Sequence, residues 1–573
     1  MKKVLSYLKG YWLESLLSPL FKLLEASFEL IVPFVIAAII DKGIPSGDAH
    51  YVFRMGLVLV GLALVGLASS VTAQYFAAKA AVGLATKLRH AVFANIQKLS
   101  YSDLDRLGTS TLITRMTSDI NQVQSGVNLG LRLFLRSPFI VFGAMAMAFV
   151  IDPGCAWIFV GAIAILAVIV FGIMLITMPL HKKTQTQLDD VLLHTRENLN
   201  GVRVLRAFGR EDEEIESFNQ SHAVLTRLQN LSGRISALMN PLTYIAINLA
   251  LVLLIRAGAV RVNAGRLTQG EVVALVNYMG QILVELIKLA NLIITVTKAA
   301  ACGRRVSAVL EVRPSLISPG KAEAPQQSGT VEFDHVSTKY QGSGSEALSD
   351  VRFSARKGQI IGVIGGTGSG KSTLVNLIPR FYDASSGVVY VDGVDVRRQN
   401  IAELRKRIAV VPQKALLFKG TIRENLLWGN PDADDETIAE ALQAAQAEDV
   451  VRAKGGLDAE IEQNGRNLSG GQRQRLTIAR ALVRKPEILI MDDSASALDF
   501  ATDARLRMSL RKLSYRPTVF IVSQRASSVR YADQIIVLDD GHVAGIGVHE
   551  DLLEKCTVYR EIFDSQFRRE VEA

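Results

Sequence analysis

Cysteine is scarce in this chain, which has only Cys155, Cys302 and Cys556 among its 573 residues. Their odd number and wide spacing exclude a disulfide framework and a cysteine-rich metal site. Basic residues exceed acidic ones by a net charge of +9, but no basic run is interleaved with aromatic residues as on nucleic-acid-binding surfaces. We therefore expect no nucleic-acid partner. The excess charge fits a membrane protein better, because the cytoplasmic loops of such proteins collect lysine and arginine.

Apolar residues, by contrast, make up 49 % of the chain and concentrate in its first 300 residues or so. A helix needs about 20 such residues to cross a bilayer, and six segments are long enough. The predicted spans are Leu16–Ile40, Val52–Ala78, Val127–Ile151, Ala156–Met178, Ile235–Ile255 and Val272–Val296. No cleavable signal peptide is expected, because the first apolar stretch is too long and contains Glu25 and Glu29. Leu5–Leu17 is predicted to form an amphipathic helix at the membrane interface.

The loops predict the orientation of these spans in the lipid bilayer. The connections after the second and fourth spans are long and basic, whereas the other three are short. Positive loops face the cytoplasm, so both termini are predicted to be cytoplasmic, in a plasma or inner membrane. The arginines between the fifth and sixth spans, Arg256, Arg261 and Arg266, oppose this pattern but are outnumbered.

Charged residues inside membrane spans are costly and usually functional. The candidates for a cavity that selects amphipathic or charged cargo are Glu25, Glu29, Arg132, Arg136 and Glu285. The alternative is that these residues pair with one another or lie where the helices emerge into water. Glu285 and Lys288, three residues apart, could pair along one helix. Pro33 and Pro138 are predicted to kink their helices.

The composition changes at residues 313–330, where proline and glycine are frequent, and this stretch is predicted to be a linker. The predicted organisation is thus an all-α membrane domain over 1–312, with six transmembrane helices continuing into the cytoplasm, and an α/β domain over 331–573. In the second domain an apolar strand leads into a glycine-rich turn and a helix. The turn consists of Gly365, Gly366, Thr367, Gly368, Ser369, Gly370, Lys371 and Ser372, followed by Thr373.

This strand, turn and helix predict a phosphate-binding loop. Backbone N–H groups of the turn and the helix N-terminus favour phosphate. Lys371 is placed to reach the β- and γ-phosphates of ATP, and the Ser372 hydroxyl to ligate Mg²⁺. ATP and Mg²⁺ are therefore the expected cofactors.

Further motifs follow in an order that resembles half-transporters of the ATP-binding cassette (ABC) exporter family, and the resemblance covers the whole chain. Tyr340 matches the aromatic residue that stacks on adenine, Gln413 a glutamine that contacts Mg²⁺, and Asp492 the aspartate associated with Mg²⁺. The residues of the family signature are Leu468, Ser469, Gly470, Gly471 and Gln472. The resemblance implies that two chains enclose ATP, and that this signature contacts an ATP held by the partner.

Two cytoplasmic stretches, Tyr101–Arg115 and Glu197–Phe218, resemble the intracellular loops of type IV exporters in this family. The resemblance implies a short coupling helix near the tip of each loop. It also implies that Ser496–Asp499 communicates across the dimer.

The catalytic positions depart from the family pattern. Asp493 stands where the family has the glutamate that polarises water, and Gln524 stands where it has a histidine that contacts the γ-phosphate. The aspartate is one methylene shorter, and a displacement of about 1 Å can cost on the order of 100-fold in rate. Glutamine carries no positive charge. Both losses fall on the transition state rather than on ATP binding. Gln463 replaces a glutamate found in many relatives.

These departures resemble the degenerate subunit of heterodimeric bacterial exporters, many of which export drugs. The resemblance implies a partner half-transporter that carries the missing glutamate and histidine, and a small amphipathic substrate. Two alternatives stay open at this point: a slow homodimeric exporter of lipid or peptide, and a channel or regulator gated by ATP.

Overall fold

A computed structural model describes residues 2–320, 322–340 and 344–567. The chain folds as two compact units. The membrane unit contains the residues up to Gln97 together with Ser110–Val312, and the C-terminal unit contains Lys98–Thr109 together with the residues from Arg313 onward. Residues 98–109, which the sequence assigned to the membrane domain, thus fold with the C-terminal unit.

Six helical runs in the described part of the chain are long and apolar enough to cross a membrane. They are Lys3–Ser46, Ala49–Ile96, Thr109–Ile151, Pro153–Phe208, Glu211–Asn263 and Gln269–Glu311. Each contains one predicted span and continues beyond it. The predicted membrane architecture of six transmembrane helices is therefore confirmed.

Twelve α-helices lie in the described part of the first 312 residues. They are α1 (Lys2–Ser6), α2 (Trp12–Ala38), α3 (Ile44–Ser46), α4 (Ala49–Ile96), α5 (Tyr101–Leu107), α6 (Thr109–Thr114), α7 (Ile120–Leu133), α8 (Arg136–Ile151), α9 (Pro153–Phe208), α10 (Glu211–Ala237), α11 (Met239–Asn263) and α12 (Gln269–Glu311). A 3-10 turn at Tyr7–Tyr11 divides the predicted interfacial helix. Two π-helical turns, Ile39–Gly43 and Arg115–Asp119, lie within the first and third runs.

The two proline positions differ in their effect. Pro33 lies inside α2, which continues through it. Pro138 lies in the first turn of α8, immediately after the helix breaks at residues 134 and 135. Proline has no N–H to donate to the carbonyl four residues earlier, which for Pro138 is that of Phe134, so the break at this point has a local cause.

The helix α9 is far longer than a membrane requires. Its 56 residues span roughly 84 Å at about 1.5 Å per residue, against about 30 Å for a bilayer core. The helix ends at Gly209, whose φ of 62° is left-handed and suits glycine. Because α10 begins at Glu211, residues 197–218 form two helix ends and a two-residue turn. The separate coupling helix expected in this stretch is absent, since Gly209 is the one residue there that breaks a helix.

The first cytoplasmic stretch does contain a short helix, α5, which begins with a reciprocal cap. The Ser100 hydroxyl accepts a hydrogen bond from the Asp103 N–H at 3.3 Å, and the Asp103 carboxylate accepts one from the Ser100 N–H at 3.2 Å. The same carboxylate accepts a hydrogen bond from the N–H of Ser315 at 2.9 Å. A buried aspartate therefore joins α5 to the segment predicted as the linker.

The strands of the C-terminal unit form three sheets. They are β1 (Val331–Thr338), β2 (Leu348–Ala355), β3 (Ile360–Gly365), β4 (Ser386–Val391), β5 (Val394–Asp395), β6 (Ile408–Val411), β7 (Gly420–Thr421), β8 (Glu460–Ile461), β9 (Ile488–Asp492), β10 (Thr518–Ser523), β11 (Gln534–Asp539) and β12 (His542–Gly547). The central sheet has the order β12-β11-β3-β10-β9-β6. Its strands are parallel apart from β12. An antiparallel sheet has the order β2-β1-β4-β5, and β7 pairs with β8.

Helices complete this unit. They are α13 (Lys371–Leu377), α14 (Ile401–Arg407), α15 (Ile422–Leu427), α16 (Asp435–Ala444), α17 (Glu448–Lys454), α18 (Gly470–Val483), α19 (Phe500–Arg511), α20 (Ala526–Val529), α21 (His549–Lys555) and α22 (Thr557–Phe567). The central strand β3 is buried along its whole length, as expected for a parallel strand covered on both faces. Ile361 and Val363 join the core shared with the antiparallel sheet, whereas Ile360 and Ile364 join the core shared with the helices. The predicted α/β class is confirmed.

Replacement of Asp103 by alanine should lower the melting temperature of the chain. Ser100 remains the N-cap of α5, but the change removes the acceptor of the hydrogen bonds from the Ser100 N–H and the Ser315 N–H, each worth about 1 kcal/mol. Although burial acts to raise the pKa of Asp103, hydrogen bonds from Ser100 and Ser315 hold it below its ordinary value. Its contribution is therefore present above the pKa of an unfolded aspartate and is lost as the pH falls through the lower folded value.

The matched control is Glu424→Ala, which removes the equivalent N3 carboxylate of the capping box of α15, a hydrogen bond of 2.8 Å from Thr421 N–H to the Glu424 carboxylate. Thermal unfolding at neutral and acidic pH compares the two variants. A decrease no larger for Asp103→Ala than for Glu424→Ala would show that the bond to Ser315 contributes nothing.

Candidate functional site

The glycine-rich turn lies between β3 and α13, at the carboxyl edge of the central sheet. Gly370 has a φ of 93°, a left-handed conformation that favours glycine. At Gly365 a side chain would meet the carbonyl oxygen of Leu538 at 2.1 Å. The conformation of the turn thus depends on glycine at both ends, and the helix that follows it presents its N-terminus, which favours an anion.

Lys371, the first residue of α13, is buried beneath this turn. Its ammonium donates hydrogen bonds to the carbonyl oxygens of Gly365 at 3.0 Å and Gly366 at 2.5 Å. Burial lowers the pKa of Lys371, and the carboxylates of Asp493 and Asp492 partly oppose that shift. A bound polyphosphate would supply further negative charge and so favour the ammonium form.

Ser372 and Asp492 come together from different elements of the sheet. The Ser372 hydroxyl donates to the Asp492 carboxylate at 2.9 Å. Burial raises the pKa of Asp492, the hydrogen bond from Ser372 opposes the shift, and the charge of Asp493 adds to it. Two adjacent carboxylates and a hydroxyl are hard oxygen ligands that suit Mg²⁺, and a divalent cation would relieve the repulsion between Asp492 and Asp493.

Gln413 reaches the same place from the segment after β6. Its side-chain nitrogen donates to the Asp493 carboxylate at 3.3 Å, which leaves the amide oxygen for a cation. The predicted set of Ser372, Gln413 and Asp492 therefore fits Mg²⁺, which when bound to ATP would neutralise the charge of the β- and γ-phosphates.

The two departures from the family pattern both face this pocket. Asp493 follows β9 with a φ of 44°, and its N–H donates to the Val522 carbonyl at 3.0 Å. Gln524 follows β10 and is exposed. The residues lining the pocket, which has a volume of about 320 Å³, are Tyr340, Ala347, Thr367, Gly368, Gly370, Lys371, Ser372, Thr373, Gln413, Asp492, Asp493, Val522 and Gln524. The structure thus brings most of the candidate nucleotide residues together, whereas Gly365, Gly366 and Ser369 of the turn do not line the pocket.

Tyr340 closes one side of the pocket. Its hydroxyl lies 3.1 Å from that of Thr373, and its ring meets the ring of Tyr382 edge-on, with centroids 5.2 Å apart. The Tyr382 hydroxyl donates to Asp105 of α5 at 2.8 Å, and burial and this hydrogen bond raise the pKa of Tyr382. Contacts therefore run from the candidate adenine-stacking residue to α5. No local pattern indicates this role for Tyr382, since a lone tyrosine predicts only packing.

The signature residues lie elsewhere in the unit. Ser469 caps the 14-residue helix α18 through a capping box with Gln472, the Ser469 N–H donating to the Gln472 side chain at 2.9 Å. Ser469 and Gly470 are exposed. Among the described residues, those lining the pocket include none from Leu468 to Gln472. The exposed N-terminus of α18 is a favourable place for an anion supplied from outside this chain.

In the membrane unit, four of the five candidate cavity residues meet in one cluster, which we call the ionic cluster. Arg136 pairs with Glu285 at 2.6 Å and with Glu29 at 2.7 Å, and its guanidinium lies 3.9 Å from Glu25. Lys288 pairs with Glu285 at 2.8 Å, as the spacing suggested. The helices α2, α8 and α12 are thus joined by buried charge.

The cluster contains residues that the sequence analysis missed. Lys22 donates to Glu25 at 2.5 Å and to the Ser70 hydroxyl of α4 at 2.9 Å, and Ser137 donates to Glu285 at 2.7 Å. The separation of Lys22 and Glu25 by three residues was a visible signal for this pair. Arg132, in contrast, has no ion-pair partner among the residues described, so it lies outside the ionic cluster and its place in a cavity stays a prediction.

Pro33 removes one backbone hydrogen bond from α2 beside this cluster. Without an N–H at Pro33, the carbonyl of Glu29 lacks its helical donor, and the Gln281 side chain donates to it at 3.5 Å. The next carbonyl, that of Leu30, accepts a hydrogen bond from the Tyr278 hydroxyl at 2.5 Å. The Gln281 side chain thus takes the place of the donor that Pro33 lacks, and Tyr278 adds a second bond from α12 to the neighbouring turn of α2.

The arginines between the fifth and sixth spans oppose the predicted orientation, and the structure explains one of them. Arg261 is paired with Asp152 at the start of α9. Its charge is neutralised locally, so it carries little weight in the loop asymmetry that predicts orientation.

Comparison with known proteins places these observations in a family. Residues 15–286 match the model for the ABC transporter transmembrane region, and residues 348–496 match the model for the ABC transporter ATP-binding domain. The chain is 36 % identical to an uncharacterized ABC transporter ATP-binding protein of Bacillus subtilis, YfiB, over 100 % of this chain and 99 % of that protein. It is also 36 % identical to an uncharacterized ABC transporter ATP-binding protein of Mycobacterium tuberculosis, over 95 % of this chain and 94 % of that one.

Two further similarities bear on function and fold. YgaD of Bacillus subtilis, named as a candidate multidrug export ATP-binding/permease protein, is 30 % identical over 99 % of both chains. The solved structure of a bacterial Atm1-family ABC exporter with ATP bound superposes with a TM-score of 0.80 at 23 % identity. That match covers 98 % of each chain and concerns the fold alone.

Removal of the Glu285 carboxylate should destabilise the membrane unit strongly. Glu285→Ala leaves the buried guanidinium of Arg136 without its shortest ion pair, and breaking a buried pair costs about 3–5 kcal/mol. The double variant Arg136→Met with Glu285→Met removes both charges and should recover most of the loss. Thermal unfolding in detergent compares the three proteins. A double variant less stable than Glu285→Ala would contradict this account.

Proposed function

The chain belongs to the ABC transporter family and is an ATP-driven exporter that crosses the membrane several times, and from this premise we propose that it is the degenerate-site subunit of a heterodimer. ABC exporters work as dimers in a lipid bilayer. The observation that carries the proposal is the combination of Asp493 and Gln524 in a pocket that is otherwise complete, together with an intact signature at the exposed start of α18.

Each candidate residue has a role in this proposal. Tyr340 stacks on adenine, the turn Gly365–Ser372 and Thr373 hold the phosphates, and Lys371 contacts the β- and γ-phosphates. Ser372, Gln413 and Asp492 hold Mg²⁺. Ser469, Gly470, Gly471 and Gln472 contact ATP bound to the partner, because their helix N-terminus is exposed rather than directed at this chain's own pocket.

The geometry supports slow hydrolysis at this chain's own site. The Asp493 carboxylate is engaged by Gln413 at 3.3 Å, and its backbone is fixed by the bond to Val522. A carboxylate one methylene short and held in this way is poorly placed to polarise water. The backbone carbonyl of Gln524 accepts a hydrogen bond from the Gln566 side chain at 2.8 Å, and the Gln524 side chain brings no positive charge to the γ-phosphate.

The partner is therefore a second half-transporter that supplies the glutamate and the histidine at the equivalent positions. The substrate is an amphipathic compound, and the name of YgaD favours drugs among such compounds. We place the protein in a plasma or inner membrane, with both termini and the C-terminal unit in the cytoplasm, because the basic loops follow the second and fourth spans.

The role of the signature in the partner's site predicts the effect of Ser469→Ala. In the co-expressed pair this variant should reduce ATPase activity on the order of 100-fold, as expected when one donor to a transition state is lost. Since Ser469 also caps α18, the control is Thr421→Ala, which removes a similar capping box at α15. Steady-state ATPase assays of the purified complexes compare them. Unchanged activity in Ser469→Ala would refute the role in trans.

If Asp493 and Gln524 make hydrolysis slow at this chain's own site, replacing them with the family residues should raise the rate of ATP hydrolysis. In the co-expressed pair that carries Ser469→Ala, which weakens the partner's site, Asp493→Glu combined with Gln524→His should raise the ATPase activity on the order of 100-fold, because both changes act on the transition state of this chain's own site. Lys371→Ala in the restored background should abolish the gain. If the unmodified chain already forms a stable dimer with appreciable Mg²⁺-dependent turnover, it is a homodimeric exporter instead.

A further inference from the structure

The ionic cluster contains a linear series of charges of alternating sign. Lys288 pairs with Glu285, Glu285 with Arg136, and Arg136 with Glu29. The two inner side chains are buried, with 3 % of Glu285 and 8 % of Arg136 exposed. The two outer ones are open, with 41 % exposed for both Lys288 and Glu29. The series therefore presents one accessible cation and one accessible anion, separated by a buried ion pair.

The accessible ends face an aqueous space rather than lipid. Charged side chains within membrane-spanning helices face the interior of a bundle or a water-filled cavity, because contact with hydrocarbon is costly. Lys288 and Glu29 lie within the predicted spans of α12 and α2. In an exporter that works as a dimer, the space available to them is the cavity between the two half-transporters.

Two buried polar atoms beside the series have no hydrogen-bond partner within the described residues. They are Arg136 Nε, a donor on a side chain that is more than nine-tenths buried, and Gln281 Oε1, an acceptor. The other end of the Gln281 amide contacts the Glu29 carbonyl, so this acceptor lies at the Glu29 end of the series. Buried polar groups are normally satisfied, and unmet donors and acceptors favour a polar ligand at this position.

The charge balance indicates what kind of ligand fits. The cluster has three cations and three carboxylates, Lys22, Arg136 and Lys288 against Glu25, Glu29 and Glu285. The Lys22–Glu25 pair is buried and satisfied by Ser70. A ligand with a net charge would leave one charge of a neutral cluster uncompensated beside the buried Arg136–Glu285 pair, which is costly. A ligand that carries one positive and one negative charge would leave no charge of the cluster uncompensated.

From this arrangement we infer that the ionic cluster binds the head group of a zwitterionic amphiphile. Its anionic group contacts Lys288, its cationic group contacts Glu29, and its apolar chain lies along the apolar surface of the spans. Arg136 and Glu285 act as positioning residues that hold the two ends apart. This inference rests on the proposed export of amphipathic compounds and names the class of compound.

Inside-out vesicles from cells that express the full transporter test the inference with three radiolabelled probes of equal chain length. The probes are an alkyl phosphocholine, an alkyl trimethylammonium and an alkyl sulfate, each used below the concentration at which vesicles leak. We expect ATP-dependent uptake of the phosphocholine to be half-saturated at a concentration about tenfold lower than for either singly charged probe.

Variants of the two ends should change this preference in opposite directions. Lys288→Gln removes the accessible cation and should favour the trimethylammonium probe, whereas Glu29→Gln should favour the sulfate. Both leave the Arg136–Glu285 pair in place, so we expect them to fold, and Lys288→Arg should restore the preference for phosphocholine. The matched control is Lys298→Gln, an exposed lysine of the same helix outside the cluster, which should change nothing.

The possible results separate this inference from the function on which it rests. Uptake of all three probes with equal affinity, or a preference that neither end variant shifts, would overturn the zwitterion site while leaving amphiphile export intact. If no probe is taken up in an ATP-dependent manner, the proposed export of amphipathic compounds fails, and the substrate class fails with it. A preference that reverses between the two variants supports the site.

Discussion

The parallel pairing of β3, β10 and β9 is the constraint on which the nucleotide site depends. In this register Ser523 lies opposite Ile364, and Val522 opposite Asp492. The three strands therefore end at the same edge, and the segments that leave them carry the phosphate-binding turn, the acidic pair and Gln524. A slip of one residue would reverse the face of every side chain in a strand. Burial on both faces of β3 opposes such a slip.

The membrane unit solves a different problem, which is how to keep charge in a medium that does not solvate it. Ion pairs join α2, α8 and α12, and the Glu29 carbonyl that lacks its donor because of Pro33 accepts a hydrogen bond from Gln281. Buried pairs contribute little net stability when intact but make their removal costly. The cluster therefore restricts which arrangements of these helices are possible, more than it strengthens any one of them.

Much of the fold and of the nucleotide site could be predicted from the sequence, and the contacts that could not be predicted were missed for physical reasons. Apolar runs predicted the six spans, and the glycine pattern predicted the turn at Gly365–Ser372, because both signals are local. The contact of Tyr382 with Asp105 and the bond of Asp103 to Ser315 join residues far apart in sequence, so no local pattern predicts them. Lys22 was overlooked because one charge within an apolar run scarcely alters its mean hydropathy. The helix break at residues 134 and 135 separates Arg132 from Arg136, so closeness in sequence does not bring Arg132 into the ionic cluster.

The helix α5 lies between two membrane-spanning segments in the chain, yet it folds with the C-terminal unit. The C-terminal unit is therefore encoded by two separate stretches of the gene rather than by one continuous stretch. Recombination between related transporters at the linker would transfer the ATP-binding region without the 98–109 segment that completes it. Functional chimaeras should then require two further crossovers, one on each side of residues 98–109, and α5 should change in evolution together with Ser315 and Tyr382 rather than with its neighbours in sequence.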